Sequence, residues 1–200
     1  ILSADGGRTL ERFLDGDDVV PQMSMLRTVA RLPGPVRRVA AAFMATQGEA
    51  RVERLLSVVH AKPVSDLWSW VKLRAQYRAE VLEAWDHVQL DAVICPPHAT
   101  VALKHGQSKD FSLGGSYAMR YNTLNFPAGV VPVTRVRPGE TTRPHAADRL
   151  ERTASEVDAD SVGLPVGVQV AARPYQEDVC LAVMAAIERG ARGQPGYPAT

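Results

Sequence analysis

The chain is predicted to be an α/β protein, in which helices cover a buried sheet. Two blocks, Asn125–Val133 and Gly163–Val170, each set Pro and Gly beside a Val-rich run. Such runs lack the alternation of a half-exposed strand, which indicates strands covered on both faces. A long amphipathic helix precedes both blocks, and another follows the second from Glu177 to about residue 189. This order of helices and strands predicts an α/β fold.

Composition and charge narrow the range of functions that the protein can have. The 200 residues are 46% hydrophobic and 22% charged, with a net charge of +1. These values are typical of a globular domain, and without a nucleic-acid-binding motif they predict no nucleic-acid partner. No apolar run approaches the roughly 20 residues that span a bilayer. Cys95 and Cys180 lie in apolar segments, which favours free thiols in a reducing compartment, the cytoplasm, over a disulfide.

The first residues read Ile-Leu-Ser-Ala-Asp-Gly-Gly, with no initiator Met and no signal-peptide pattern. An apolar pair leading straight into a Gly-Gly turn is typical of a chain that leaves a strand. We therefore expect the chain to be a piece of a longer protein. Residues 8–20 then predict a short helix, because Leu10, Phe13 and Leu14 are spaced along one helical face.

Residues 22–61 predict a helical hairpin that is broken at Pro33-Gly-Pro35. Between residues 26 and 60 there are six arginines and two glutamates. A basic amphipathic helix pair can lie on an anionic membrane surface. The alternative, which the residues leave open, is a hairpin packed on its own domain with a solvated basic face.

The rest of the chain alternates helices and strands. A long helix is predicted from Ser65, as its N-cap, to about residue 87. The remaining elements, in order, are a strand at 90–95, a helix starting near Ser116, a strand at 129–134, a polar excursion at 136–161, a strand at 165–172, the helix from Glu177 and a tail at 194–200. The excursion lacks long apolar periodicity, so we expect it to be exposed with at most one short helix.

Two clusters of reactive residue types are candidates for a catalytic or metal site. Cys95-Pro-Pro-His98 with His105 offers three ligands, but a structural zinc site uses four, and a rigid Pro-Pro keeps the thiol and the imidazole apart. Gly114-Gly115-Ser116 lacks the pattern of a nucleophile elbow or of a phosphate-binding loop. We interpret this turn as the start of a helix, with Ser116 as its cap, that lines a cavity.

Several motifs, taken together, resemble a known family. The match is carried by Tyr121-Asn122, Asn125–Thr134, Gly163–Gln169 and Pro174–Glu177, with support in the same order from Ser3–Gly7, Arg31–Pro33, Tyr77-Arg78 and Leu90–Pro96. This set resembles the C-terminal part of the amidase-signature hydrolases, and within them the fatty-acid amide hydrolase branch.

The resemblance implies a fold, and it implies that the catalytic residues lie in another part of the parent protein. Residues 1–193 would be the C-terminal portion of one domain, a mixed β-sheet core flanked by helices, with the helical hairpin at 22–61 inserted as a membrane cap. Family members hydrolyse amides with a serine nucleophile, a second serine in a cis peptide and a lysine base. These belong to a Gly/Ser-rich signature, and this chain contains no Gly-Gly-Ser-Ser run. We therefore expect no catalytic residue here, and no activity from the chain alone.

By the same resemblance, Ser112, Gly115, Met119 and Tyr175 match positions that line the acyl channel; ordinary core packing is the alternative for each. The parent protein would hydrolyse an amide with an apolar acyl chain to an acid and an amine or ammonia. No cofactor and no metal are implied. The expected partners are a small-molecule amide, the N-terminal part of the same protein, a membrane surface through 26–60, and a second copy in a homodimer. The rival interpretation is a truncated, non-catalytic product that acts as a binding module.

Overall fold

The structure is a computed structural model that describes residues 4–109, 111–143 and 148–198, without the side chains of 21–23, 25–26, 109 and Ser112. Contacts divide the chain into two compact units, residues 1–73 and 74–200. None of the described helices is both long and apolar enough to cross a membrane.

The first unit is helical. Its elements are α1 (Arg8–Leu14), α2 (Pro21–Arg31), α3 (Gly34–Thr46), α4 (Ala50–Val58) and the beginning of α5 (Val64–His87). The helix predicted over 8–20 ends earlier, because Asp15 turns to φ 43° and Gly16 to φ 97°. Helix α5 begins one residue before Ser65, which therefore lies inside its first turn.

The segment 22–61 contains three helices, with the predicted break at Pro33 between α2 and α3. A second break follows α3, because Gly48 adopts φ 76°, a left-handed conformation that glycine enters without steric cost. Buried Val29, Ala41 and Leu56 join the three helices in one small apolar core. The backbone N–H of Lys62 donates to the carbonyl oxygen of Ala4 at 2.7 Å, which ties the chain after α4 to its beginning.

The second unit contains the sheet. Its elements are the rest of α5, β1 (Ala92–Cys95), two 3₁₀ turns (Gln107–Lys109 and Ser112–Gly115), α6 (Ser116–Leu124), β2 (Ala128–Arg135), α7 (Arg149–Ala159), β3 (Pro165–Ala172) and α8 (Glu177–Arg192). Helix α6 ends at Asn125, whose φ of 56° reverses the chain toward β2; Asn tolerates this conformation better than most residues.

The three strands form an antiparallel sheet in the order β1-β3-β2. Central strand β3 is covered on both faces, as its Val-rich run predicts. Val170 and Ala172 pack with Cys180 of α8, and Ala171 packs in a second cluster. That second cluster contains Val81, Trp85, Tyr121, Leu124 and Phe126. Strand β3 is therefore held in place by packing on both of its faces.

The two outer strands are less covered. Ile94 of β1 is 56% exposed and Val130 of β2 is 50% exposed. Pro132 lies within β2, where the register shifts between Pro132 and Thr134. A proline without an N–H and a bulge are both typical of an edge strand. The covering of both faces that was predicted for the two Val-rich runs therefore applies to β3 and only in part to β2.

The polar excursion at 136–161 contains one helix, α7, which is packed rather than free in solvent. Asp148 caps it by accepting the Glu151 backbone N–H at 2.9 Å. Ala154 is 3% exposed and Val157 is 2% exposed. The sequence does not reveal this packing, because two small apolar side chains do not make a recognisable amphipathic pattern.

Candidate functional site

The loop after β1 lines an open cavity of about 600 Å³ in the second unit. Pro96 and Pro97 end the strand because neither can donate to the ladder. The loop then continues through His98 to Leu103, and the opposite walls come from Val136, Arg143 and the start of β3. The cavity is therefore bounded by a strand end, a loop and the excursion, an arrangement that suits a small-molecule ligand.

Arg143 holds two of these walls together. Its Nη2 donates to the carbonyl oxygen of Ala99 at 2.5 Å, and its guanidinium forms an ion pair with Asp158 of α7. Both side chains are mostly removed from solvent, with 31% and 16% of their surface exposed. A hydrogen-bonded ion pair in a partly buried position restricts the loop more than an exposed pair would.

His98 connects the cavity to the start of α6. Its ring packs against Phe111 at a centroid distance of 5.5 Å, and its Nδ1 lies 3.3 Å from the backbone nitrogen of Thr100. A Cβ atom placed on Gly115 would lie 3.9 Å from His98 Cδ2 and 4.0 Å from Met119 Cε. Gly115, one of the four predicted site residues, therefore lies beside a cavity-lining side chain, and Met119, another, lies next to Gly115; neither of the two lines the cavity itself.

The other two predicted residues are placed differently. Ser112 begins the 3₁₀ turn before α6, and its side chain is outside the described part. Tyr175 lies in the turn between β3 and α8, with φ 65° and 84% of its surface exposed. Met119 is 44% exposed. Neither Met119 nor Tyr175 is a core residue of this unit.

Ser116 is the first residue of α6, and Gly115 occupies the cap position without a side-chain hydrogen bond. The proposed cap role of Ser116 is therefore wrong by one position.

Cys95 is engaged with the sheet rather than with His98. Gln169 Nε2 donates to Cys95 Sγ at 3.3 Å, and the thiol donates to Tyr121 Oη at 3.6 Å. Burial, reinforced by the contact with Cys95, raises the pKa of Tyr121 to about 12. The phenol thus stays neutral over the physiological range, as part of a polar chain inside an apolar cluster.

Sequence reasoning used Tyr121 and Gln169 as family motif residues but gave neither a place in the site. The available signal was Gln169, the one polar side chain in the predicted strand 165–172. Across residues 4–109, 111–143 and 148–198, no three His, Cys, Asp or Glu side chains gather closely enough to hold a metal ion.

Comparison with known proteins places this geometry in a family. The sequence profile described as Amidase matches residues 1–181. Fatty-acid amide hydrolase 1 of Sus scrofa is 33% identical over 193 residues, which cover 94% of this chain and 33% of that protein. The Caenorhabditis elegans protein named fatty acid amide hydrolase 1 is 35% identical over 59% of this chain and 21% of its own length. An acetamidase of Aspergillus oryzae is 28% identical over 60% of this chain and 23% of its own length.

A solved structure named fatty acid amide hydrolase superimposes with a TM-score of 0.67 at 18% identity, over 93% of this chain and 29% of that one. This similarity shows a shared fold. The chain belongs to the amidase family, and it is similar to the C-terminal part of the amidase-signature fold. It spans about a third of the length of the Sus scrofa relative that it matches.

Proposed function

We propose that this chain forms the acyl-pocket part of an amide hydrolase whose catalytic Ser-Ser-Lys set lies in the N-terminal part of the same protein. The single observation that supports this most is that Gly115 lies against His98, a side chain that lines a cavity of about 600 Å³, and that Met119 lies next to Gly115. A small residue and a flexible thioether near a cavity suit an apolar ligand segment.

The proposed reaction is amide hydrolysis to an acid and an amine or ammonia. The serine hydroxyl adds to the amide carbonyl, the amine leaves with a proton, and water then releases the acid from the acyl-enzyme. In this division the present chain binds and orients the acyl group and supplies no nucleophile. Ser116 does not fit that role, since it stands exposed at a helix start without an adjacent base among the described contacts.

The proposed substrate class is a fatty-acid amide. Two relatives named fatty-acid amide hydrolase are 33% and 35% identical to this chain over the matched residues, and two named acetamidase are 28% and 30% identical. Met119 and Tyr175 both offer exposed apolar surface that an acyl chain can cover, which favours a long acyl group over acetyl.

Two partner surfaces belong to the same proposal. On α3, Val36, Val39 and Phe43 are exposed at helical spacing, so this face can contact a membrane surface from the cytoplasmic side. On α5, Trp68 and Leu73 are 66% and 52% exposed and can be covered by a second copy. Sedimentation with and without phospholipid vesicles tests both: a monomer that stays in the supernatant with vesicles would contradict them.

The experiment for the pocket uses the chain joined to its N-terminal part. Gly115→Leu fills the space beside His98 and Met119, so kcat/KM for long-chain amides should fall at least about tenfold, whereas acetamide hydrolysis changes little. Val162→Ala, at a surface position that is 53% exposed, is the control. Equal losses for long and short amides would refute the pocket role.

The rival function, a non-catalytic binding module, is separated by a simpler observation. An in-frame Gly/Ser-rich signature with its lysine upstream of Ile1 supports the hydrolase. A start codon at that point, with no such segment encoded, supports the rival.

A further inference from the structure

The first unit contains an arginine-lined groove that the amidase proposal does not use. It has a volume of about 510 Å³ and is lined by Asp5, Gly6, Arg8, Glu11, Arg12 and Arg31, with Ala30 and Ala61 at its base. It is formed by α1, the end of α2 and the segment that precedes α5. Three guanidinium groups thus share one groove with two carboxylates.

Both carboxylates are already engaged within the unit. Asp5 accepts the backbone N–H of Gly7 at 2.9 Å and that of Thr9 at 2.8 Å. Hydrogen bonding, chiefly from the Thr9 side chain, lowers the pKa of Asp5 to about 2. Glu11 accepts Arg27 Nε at 2.5 Å and pairs with Arg31 at 2.7 Å. Neither acid is therefore available to neutralise a further arginine.

Arg8 and Arg12 are the unneutralised cations. They are four residues apart on α1, so they lie on the same helical face. Both are exposed, and neither has a carboxylate partner in the part of the chain that the structure describes. Counting Arg27, four arginines meet two acids at this place. The surplus is positive, and Arg8 and Arg12, which carry it, are exposed.

From this arrangement we propose that the groove binds an anionic group of phosphate chemistry, with Arg8 and Arg12 as its principal ligands. Planar guanidinium groups bind tetrahedral oxyanions by paired N–H donors, which suits phosphate. The Thr9 N–H at the start of α1 takes no part, since it is already bound to Asp5. The side chains alone therefore supply the charge.

Two sources can present this chemistry: a lipid headgroup or a soluble phosphate. Phe13 of α1 is 84% exposed and Leu10 is 41% exposed, so apolar surface stands beside the groove on the same short helix. An experiment with two arms separates the sources. The first titrates the chain joined to its N-terminal part with inorganic phosphate by calorimetry, and the second mixes the same protein with phosphatidylcholine vesicles with and without phosphatidylserine.

The double variant Arg8→Gln, Arg12→Gln should weaken binding at least about tenfold in whichever of the two experiments shows binding. Added salt should likewise weaken the binding of the anion by the unsubstituted protein. Arg74→Gln, Arg189→Gln removes the same charge from exposed positions of the second unit and should bind as the unsubstituted protein does. Circular dichroism and the thermal midpoint check that both variants fold.

A third variant gives a change in the opposite direction. Glu11→Gln releases Arg27 and Arg31, so the anion should bind more tightly. Binding in the phosphate arm identifies a soluble ligand, and binding only to phosphatidylserine vesicles identifies a headgroup. Absence of binding in both arms, or equal losses in the two double variants, would overturn the proposal.

Discussion

Two adjacent glycines, Gly114 and Gly115, are small for different reasons. A Cβ atom on Gly114 would overlap the Phe111 ring and lie 3.0 Å from His98 Cε1. At Gly115 the nearest atoms would be at ordinary contact distance. Gly114 thus permits close packing of the loop, whereas Gly115 has room for a methyl group beside His98 and Met119.

We expect Gly114→Ala to lower the free energy of unfolding by about 1–3 kcal/mol, because the added methyl group displaces the buried Phe111 ring. Gly115→Ala should cost less than about 1 kcal/mol, mainly through its cap position. Urea denaturation of both variants measures the difference. Equal costs at the two positions would show that Phe111 moves aside freely.

From its small residues, the sequence predicted a turn here that precedes a helix. It could not assign a separate role to each glycine, because Phe111 and His98 reach the turn only through the folded loop. Tyr175 shows the same limit. Its place before the last helix was predictable, but its φ of 65° and its exposed ring were not.

Among the elements, breaks made by proline were easier to predict than breaks made by glycine. Pro33 ends α2 as expected, since proline cannot continue the preceding helix. The break at Gly48 depends on a left-handed conformation that glycine permits but does not require. The Val-rich runs predicted β2 and β3, whereas their register, with Val131 opposite Val168, comes from pairing across the sequence.

Helix α7 is fixed to the site loop by Arg143, which gives a prediction at the level of elements. Arg143→Ala leaves Asp158 unpaired and the Ala99 carbonyl without its donor, so we expect a loss of about 1–3 kcal/mol. Amide hydrogen exchange should quicken in the loop of 98–103 and in α7.

The matched control is Arg189→Ala on exposed α8, which should leave exchange in both segments unchanged. If Arg143→Ala does the same, the ion pair does not hold the cavity wall.

At the scale of the whole molecule, the chain exposes apolar strand residues while spanning about a third of the Sus scrofa relative. Ile94 and Val130 lie on the two outer strands, and an exposed apolar edge invites pairing with another chain. We therefore expect the isolated 200 residues to self-associate, and the N-terminal part supplied in trans to suppress this.

Light scattering with and without that part measures the effect. The Ile94→Lys, Val130→Lys variant should scatter less, because charges on edge strands oppose pairing. A monodisperse unsubstituted chain with a cooperative melting transition would contradict the prediction.

The central position of β3 has a consequence for how the protein is made. Strand β3 ends at Ala172, whereas its neighbours β1 and β2 end at Cys95 and Arg135. During translation both neighbours leave the ribosome before the strand that joins them exists. At a translation rate of about 5–20 residues per second, several seconds pass between the synthesis of β1 and that of β3. The nascent chain can therefore bind chaperones throughout that interval, because the three-stranded sheet forms only after β3 has been synthesised.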